Sequence, residues 1–228
     1  RDEIEVATGV LPDAYLADFS SLSEVRGMAS RIRENHPFLD VLINNAGIGR
    51  GPRGGQVREV STDGHELRFQ VNHLAPLLLS QLLLDNLSRT APGRIVNVAS
   101  AAQIAIDFDD PMIQRGYDGS RAYSQSKLAM VMATFELAQR IDPGGVTVNA
   151  LHPGSLLDTK MVREGFGKPL GPVEIGIESE VYLATSPDLD GVTGAYFDRC
   201  QQVRADEQAY DGAACRALWE LSERLTRA

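Results

Sequence analysis

Cysteine is scarce in this sequence, which limits the kinds of site that the chain can form. Cys200 and Cys215 are the only cysteines in 228 residues, too few for a disulfide framework or a cysteine-rich metal site. The four histidines are scattered, without the spacing of metal ligands. We therefore expect reduced thiols, no metal and a cytoplasmic location.

Long apolar runs and an excess of positive charge are also missing. No run of about eighteen apolar residues is present, so we expect no membrane span. The first residues, Arg1 to Glu5, do not have the pattern of a signal peptide. A net charge of −9 argues against nucleic acid and anionic membranes as partners, although solubility alone would also explain an acidic surface.

Predicted strands and helices alternate along the chain. This order predicts a single α/β domain over residues 1–228, with a doubly wound, mostly parallel sheet covered on both faces. The predicted strands are 13–18, 39–44, 94–99, 146–151 and 192–197, and the predicted helices are 21–35, 63–87, 120–141, 173–186 and a last one around Trp219. Residues 155–173, rich in glycine and proline, are interpreted as a flexible lid.

The most informative pair is Tyr123 and Lys127, which a helix would place on one face. A nearby ammonium favours the phenolate, so we expect Lys127 to lower the pKa of Tyr123 below about 10. Tyr123 would then be a usable general acid or base. Such a pair also occurs by chance on solvated helices, so its meaning depends on other residues.

Three further features accompany this pair. Asn44–Gly47 follows a predicted strand, where doubly wound sheets bind ligands, although an ordinary Asn/Gly turn has the same composition. Ser100 closes another predicted strand. Asn72 lies within a largely apolar helix, where a structural hydrogen bond is the simpler explanation.

Together these residues resemble the short-chain dehydrogenase/reductase family over nearly the whole chain from Pro12. The motifs stand in family order: Asp18, Asn44-Asn45-Ala46-Gly47, Asn72, Ser100, Tyr123 to Lys127, and Pro153-Gly154 with Thr159. The run Val71 to Pro76, Leu151 to Gly154 and the 23-residue spacing from Ser100 to Tyr123 are similar to the retinol-dehydrogenase and protochlorophyllide-reductase type. Ala99 departs from the family, which often has serine there.

The resemblance implies a Rossmann-type fold and an NAD(P)-dependent oxidoreductase. Tyr123 would be the general acid or base, Ser100 would bind the substrate oxygen, Lys127 would hold the nicotinamide ribose, and Asn72 would hold a relay water. The implied cofactor contacts are Asp18 at the adenine, Asn45, Ala46 and Gly47 at the adenosine half, Tyr123 and Lys127, and Pro153, Gly154 and Thr159 at the carboxamide.

The family's N-terminal strand-helix-strand unit, with its Gly-rich pyrophosphate turn, is absent from this sequence. Without it the strand Leu39 to Asn44 is expected to form an exposed edge. Three explanations stay open: the sequence omits an N-terminal segment, which we favour; another chain supplies the strands; or the chain is a rearranged, non-catalytic variant. The missing unit also carries the usual selector between NAD and NADP; the resemblance favours NADP.

The expected substrate is a small apolar carbonyl or alcohol. Apolar residues of the lid support this, although ordinary packing explains them equally well: Leu156, Leu157, Met161, Val162, Phe166 and Leu170. The alternative function is a non-catalytic binding or scaffold protein that has lost the pyrophosphate turn. A homo-dimer or homo-tetramer is expected from the resemblance alone.

Overall fold

The computed structural model describes residues 1–51, 55, 57–89, 92–142, 144–165 and 167–227. A five-stranded sheet in the order β1-β2-β3-β4-β5 is formed by β1 Val41–Asn44, β2 Gly93–Val98, β3 Val146–His152, β4 Tyr196–Asp198 and β5 Gln201–Val203. The first four strands are parallel, and β5 pairs antiparallel with β4. The carboxyl ends of β1, β2 and β3 therefore lie at one edge.

Helices cover both faces of this sheet. They are α1 Asp2–Thr8, α2 Leu22–Asn35, α3 Leu67–Phe69 with a π-helical turn Gln70–Leu74, α4 Ala75–Ser88, α5 Gly119–Arg140, α6 Lys160–Gly165, α7 Glu174–Thr185 and α8 Gly212–Thr226. Successive residues of β2 point to opposite faces: Ile95 packs with Leu77 of α4 and Leu137 of α5, whereas Val96 packs with Leu183 of α7. The predicted doubly wound α/β fold is confirmed.

The predicted strand at residues 13–18 is wrong. No strand is assigned to these described residues, and Leu16 is 88% exposed. A strand requires a partner for its backbone groups, and within the described sheet β1 pairs with β2 alone. Ile43 of β1 is 40% exposed, so β1 lies at the expected edge of that sheet.

The helix that carries Asn72 begins later than predicted. Glu66, rather than Asp63, caps it: its Oε2 accepts a hydrogen bond from the backbone N–H of Phe69 at 2.7 Å. Asp63 instead accepts from the Leu22 backbone N–H and the Gln70 side chain. This carboxylate therefore ties the start of α2 to the start of the π-helical turn.

The last part of the sheet also differs from the prediction. The strand expected at 192–197 is β4, shifted to Tyr196–Asp198, and a hairpin then leads into β5. The hairpin turns at Arg199, whose φ of 54° is left-handed. All three residues of β5 are exposed, so it lacks the apolar pattern from which a strand is usually predicted.

Candidate active site

The carboxyl ends of β1, β2 and β3 open into a cavity of about 550 Å³. Eight of the predicted catalytic and cofactor-binding residues line it: Asn45, Gly47, Ser100, Tyr123, Lys127, Pro153, Gly154 and Thr159. Ala46, Asn72 and Asp18 are outside this lining. The fold thus brings together residues from four separate parts of the chain.

Lys127 lies in the floor of this cavity. Its Nζ donates a hydrogen bond to the Val98 carbonyl oxygen at 2.7 Å, and only 4% of the residue is exposed. Burial lowers the pKa of Lys127 to about 8, because an ammonium loses solvation when it leaves water. The lysine therefore titrates much closer to neutral pH than a surface lysine does.

Tyr123 stands beside Lys127 on α5, but the predicted effect on its pKa is wrong. The pKa of Tyr123 is raised by burial, and a hydrogen bond from the Ser100 side chain only partly opposes this. Lys127 Nζ lies 6.0 Å from the centre of the Tyr123 ring and is directed at Val98. Desolvation of the phenolate therefore outweighs the charge of the neighbouring lysine.

Ser100 is held by its own backbone. Its carbonyl oxygen accepts hydrogen bonds from the Tyr196 hydroxyl and the Gln103 side chain, both at 2.9 Å. The Ser100 Oγ accepts from the Ala102 N–H at 3.1 Å. A hydroxyl held this way keeps its own proton for donation and retains a second lone pair for accepting.

Asn72, in the π-helical turn, holds the loop after β1. Its side-chain oxygen accepts from the Ile48 N–H at 2.8 Å, and its amide donates to the Ile48 carbonyl at 3.0 Å and to Ser126 Oγ at 3.0 Å. The Ser126 hydroxyl donates to the Tyr123 carbonyl. Asn72 therefore connects the Ile48 loop to the helix of Tyr123. π-Helical turns often occur at functional sites.

Gly47 fills a narrow place in this arrangement. A Cβ atom there would lie 3.1 Å from Asn72 Oδ1 and 3.5 Å from Lys127 Nζ. A larger residue would therefore crowd the two polar groups that surround it.

The turn after β3 forms the opposite wall. Gly154 has a φ of 131°, a conformation that L-residues rarely adopt, and a Cβ there would lie 3.1 Å from Leu157. Thr159 Oγ1 accepts from the Val162 N–H at 3.3 Å at the start of α6. This wall is apolar where Leu156, Leu157, Met161 and Val162 line the cavity. Of the other predicted lid residues, Leu170 is 77% exposed and outside the lining, and Phe166 lies outside the described residues.

Asp18 is exposed and lies before α2. Its Oδ1 accepts from the Ser20 N–H at 2.8 Å, and this bond lowers the pKa of the carboxyl. Its own N–H donates to the Glu24 side chain, while Ser21 Oγ accepts from the Glu24 N–H as the N-cap of α2. The structure does not bring Asp18 to the cavity.

Sequence reasoning missed several residues around the cavity. His152 lines it, with Nε2 at 3.1 Å from Ser155 Oγ, and burial lowers its pKa. The Val98 carbonyl is a backbone group, which no residue pattern reports. Arg68, fully buried, lies at a second cavity of about 750 Å³ that shares Gly47 and Met161 with the first. Two residues had a signal in the sequence: Ser126 lies between Tyr123 and Lys127, and His152 lies within the motif Leu151 to Gly154.

The family model for short chain dehydrogenase matches residues 3–168. The chain belongs to this family. It is 41% identical to human retinol dehydrogenase 13 over 91% of this chain and 66% of that protein, and 40% identical to human retinol dehydrogenase 14 over 90% and 64%. The chain thus spans slightly less than two thirds of the length of these relatives, and the predicted similarity to the retinol-dehydrogenase type is confirmed.

Solved structures agree with this assignment. An uncharacterised protein from Mycobacterium paratuberculosis matches with a TM-score of 0.74 and 31% identity over 93% of this chain and 74% of that one. A short chain dehydrogenase from Shigella flexneri complexed with NADP has a TM-score of 0.66 and 25% identity, covering 87% and 79%. A Brucella ovis oxidoreductase with partially ordered NAD has a TM-score of 0.56 and 29% identity, covering 80% and 75%. The cofactors of similar structures therefore include both dinucleotides.

Two features are absent from residues 1–51, 55, 57–89, 92–142, 144–165 and 167–227. Within those ranges, no helix combines the length and apolar character needed to cross a membrane. No group of three or more His, Cys, Asp or Glu side chains in the described part of the chain could hold a metal ion.

Proposed function

We propose that this short-chain dehydrogenase is an NAD(P)-dependent oxidoreductase that interconverts a carbonyl and an alcohol. One observation carries the proposal: Ser100, which follows the end of β2, and Tyr123 and Lys127 of α5 line one cavity at the carboxyl edge of the sheet. Ligands of doubly wound sheets bind at that edge.

The cavity suits the nicotinamide half of a dinucleotide. Gly47 and Gly154 leave backbone accessible on two walls, and Lys127 uses one of its three donor positions on Val98. Lys127 would hold the ribose hydroxyls. The adenosine side would be contacted by Asn45, Ala46 and Gly47, and the carboxamide by Pro153, Gly154 and Thr159. When bound, the nicotinamide would supply or accept the hydride. We also propose that Asp18, which lies outside the cavity lining, contacts the adenine.

The protein's own residues would manage the proton and the substrate oxygen. In reduction, Tyr123 would donate its phenolic proton to the oxygen that gains charge, and in oxidation it would take the proton back. A raised pKa keeps the phenol protonated at neutral pH, which supports the donor role. Ser100 can donate to the same oxygen and stabilise its developing charge. The Lys127 ammonium would stabilise the phenolate that remains.

The substrate class is drawn from the wall that faces these groups. Leu156, Leu157, Met161 and Val162 make it apolar, which supports an apolar carbonyl or alcohol. The names of the two human relatives support the same class. NADP is favoured as the cofactor by the family resemblance alone. We further propose that the protein is a single domain, forms a homo-dimer or homo-tetramer, and is located in the cytoplasm.

Two measurements test the proposal. NADPH and NADH are titrated into the full-length protein by fluorescence, and aldehydes, ketones and alcohols are then screened with both cofactors. We expect binding of at least one dinucleotide and turnover of an apolar substrate. Absence of binding to both would reject the enzyme and favour a non-catalytic binding protein.

A further inference from the structure

We infer that Arg68 is a positioning residue, which together with Asn72 clamps the loop Gly47–Gly51. This loop lines the second cavity and reaches the first through Gly47. The inference rests on the proposed function only for its effect on cofactor binding. The clamp itself is a property of the folded chain and has its own test.

Arg68 is a charged side chain enclosed by protein. Only 1% of it is exposed, and its nitrogen atoms contact four groups: the Gly49 carbonyl at 3.1 Å, Glu66 at 3.2 Å, Tyr117 at 3.0 Å and Glu59 at 2.5 Å. A guanidinium has five N–H donors in a fixed plane, so four directed contacts fix its orientation. The Arg68 side chain is therefore a rigid support.

Arg68 and Asn72 act on successive residues of one loop. Asn72 bonds both polar backbone groups of Ile48, and Arg68 bonds the carbonyl of the next residue, Gly49. The two side chains are four residues apart in the segment that begins at Glu66. One short helical segment thus holds the backbone of two consecutive loop residues.

The loop is shaped to receive the guanidinium. Gly51 has a φ of 94°, and a Cβ atom there would overlap the Arg68 guanidinium. Glycine at this position is what allows the arginine to reach Gly49. The contact therefore depends on both residues: Gly51 leaves space on the loop, and the long Arg68 side chain reaches through it from the helix.

The same network reaches the helix of Tyr123. The Tyr117 hydroxyl donates to Glu66 Oε1 at 2.9 Å and receives a bond from Arg68. Tyr117 directly precedes Asp118, the N-cap of α5. Arg68 therefore ties the Gly47–Gly51 loop to the start of the helix that carries Tyr123 and Lys127.

Amide hydrogen exchange of the protein without cofactor tests the clamp. We expect peptides covering Gly47–Gly51 to exchange about tenfold faster in Arg68→Met, since a charge-assisted hydrogen bond to the loop is lost. Arg94→Met is the matched control: Arg94 pairs with Asp190 at 2.6 Å, bonds the Leu183 carbonyl, and lines neither cavity. Exchange in the loop that is unchanged in Arg68→Met, or equally fast in Arg94→Met, would overturn the inference.

Cofactor affinity gives the functional readout. We expect the Kd for NAD(P)H to rise about tenfold in Arg68→Met with kcat changed less than threefold, because loop order and not the proton donor is affected. If Arg68→Met does not fold, Tyr117→Phe removes a single hydroxyl and should raise exchange and Kd in the same direction by a smaller factor. A wild-type protein that binds no dinucleotide rejects the proposed function, whereas the exchange measurement still decides the clamp.

Discussion

Lys127 Nζ and the Val98 carbonyl oxygen lie 2.7 Å apart, so the buried ammonium is fixed to the end of strand β2. Val98 is also the second residue before Ser100. One strand end therefore sets the positions of both the lysine and the serine hydroxyl. This common support explains how residues 27 positions apart in sequence keep a defined geometry on one cavity wall.

Replacement of Tyr123 by phenylalanine should abolish turnover. The change removes the phenolic proton and leaves the ring in place, so kcat is expected to fall by about 10²–10⁴ while the Kd for NAD(P)H stays within about threefold. Steady-state kinetics and fluorescence titration measure the two effects. Tyr182→Phe on α7, outside the cavity lining, is the control and should keep normal turnover. A Tyr123→Phe enzyme with most of its activity would remove Tyr123 from the mechanism.

Asn72→Ala should weaken both stability and cofactor binding. It leaves the Ile48 N–H and carbonyl without their side-chain partner, at a cost of about 2–4 kcal/mol in unfolding free energy. Asn149 is a matched control, because it accepts from the Ala195 N–H and donates to the Val192 carbonyl away from the cavity.

Both alanine variants should lose stability in urea denaturation, but only Asn72→Ala should raise the Kd for NAD(P)H, by about tenfold. Equal Kd values in the two variants would show that Asn72 contributes only to folding.

The main elements could be predicted because their apolar patterns are strong. The strands ending at Val98 and His152 are buried in a parallel sheet, and the strand ending at Asn44 has an apolar run although it lies at the sheet edge. Helix α5 was predicted within one residue at each end. Since parallel strands end at one edge, the residues that follow them were expected to meet, and Asn45, Ser100 and Pro153 do line one cavity.

What could not be predicted depends on packing between distant segments. Tyr123 and Lys127 have helical spacing, but the spacing does not show how deeply both groups are buried, and burial decides the sign of the Tyr123 pKa shift. Arg68 in a helical sequence indicates a solvated face, yet Tyr117 and the Gly49 carbonyl enclose it. The predicted strand at 13–18 is wrong for the opposite reason. Its sequence pattern suits a strand, but the described sheet offers no neighbouring strand to pair with it.

His73 should make the protein sensitive to acid. It is fully buried, its Nε2 lies 2.7 Å from Ser222 Oγ, and its Nδ1 has no partner among the described residues. Burial lowers its pKa to about 3, below the value of 6.5 in an unfolded chain. The unfolded state therefore binds the proton first, and the stability present above pH 6.5 is lost as pH falls towards 3.

Urea denaturation at several pH values measures this effect. The stability difference between wild type and His73→Gln should move in favour of the variant by about 1–3 kcal/mol between pH 7 and pH 4, because only the wild type must exclude that proton. His65→Gln, which changes a partly exposed histidine, is measured beside it as the comparison variant. A difference that stays constant with pH would contradict the assignment.

Lys127 should act on stability in the alkaline range. Its folded pKa of about 8 is below the ordinary 10.5, so between these values the unfolded state binds more protons and wild-type stability rises with pH. At pH 7 both states are protonated and the full cost of burying the ammonium is present. Lys127→Met lacks this cost at every pH, and its loss of the Val98 hydrogen bond does not depend on pH.

The stability of the variant relative to wild type should therefore decrease by up to about 3 kcal/mol from pH 7 to pH 10. Denaturation curves of Lys127→Met and of the exposed control Lys168→Met measure this, and parallel pH profiles for Lys127→Met and wild type would show that the lysine keeps an ordinary pKa.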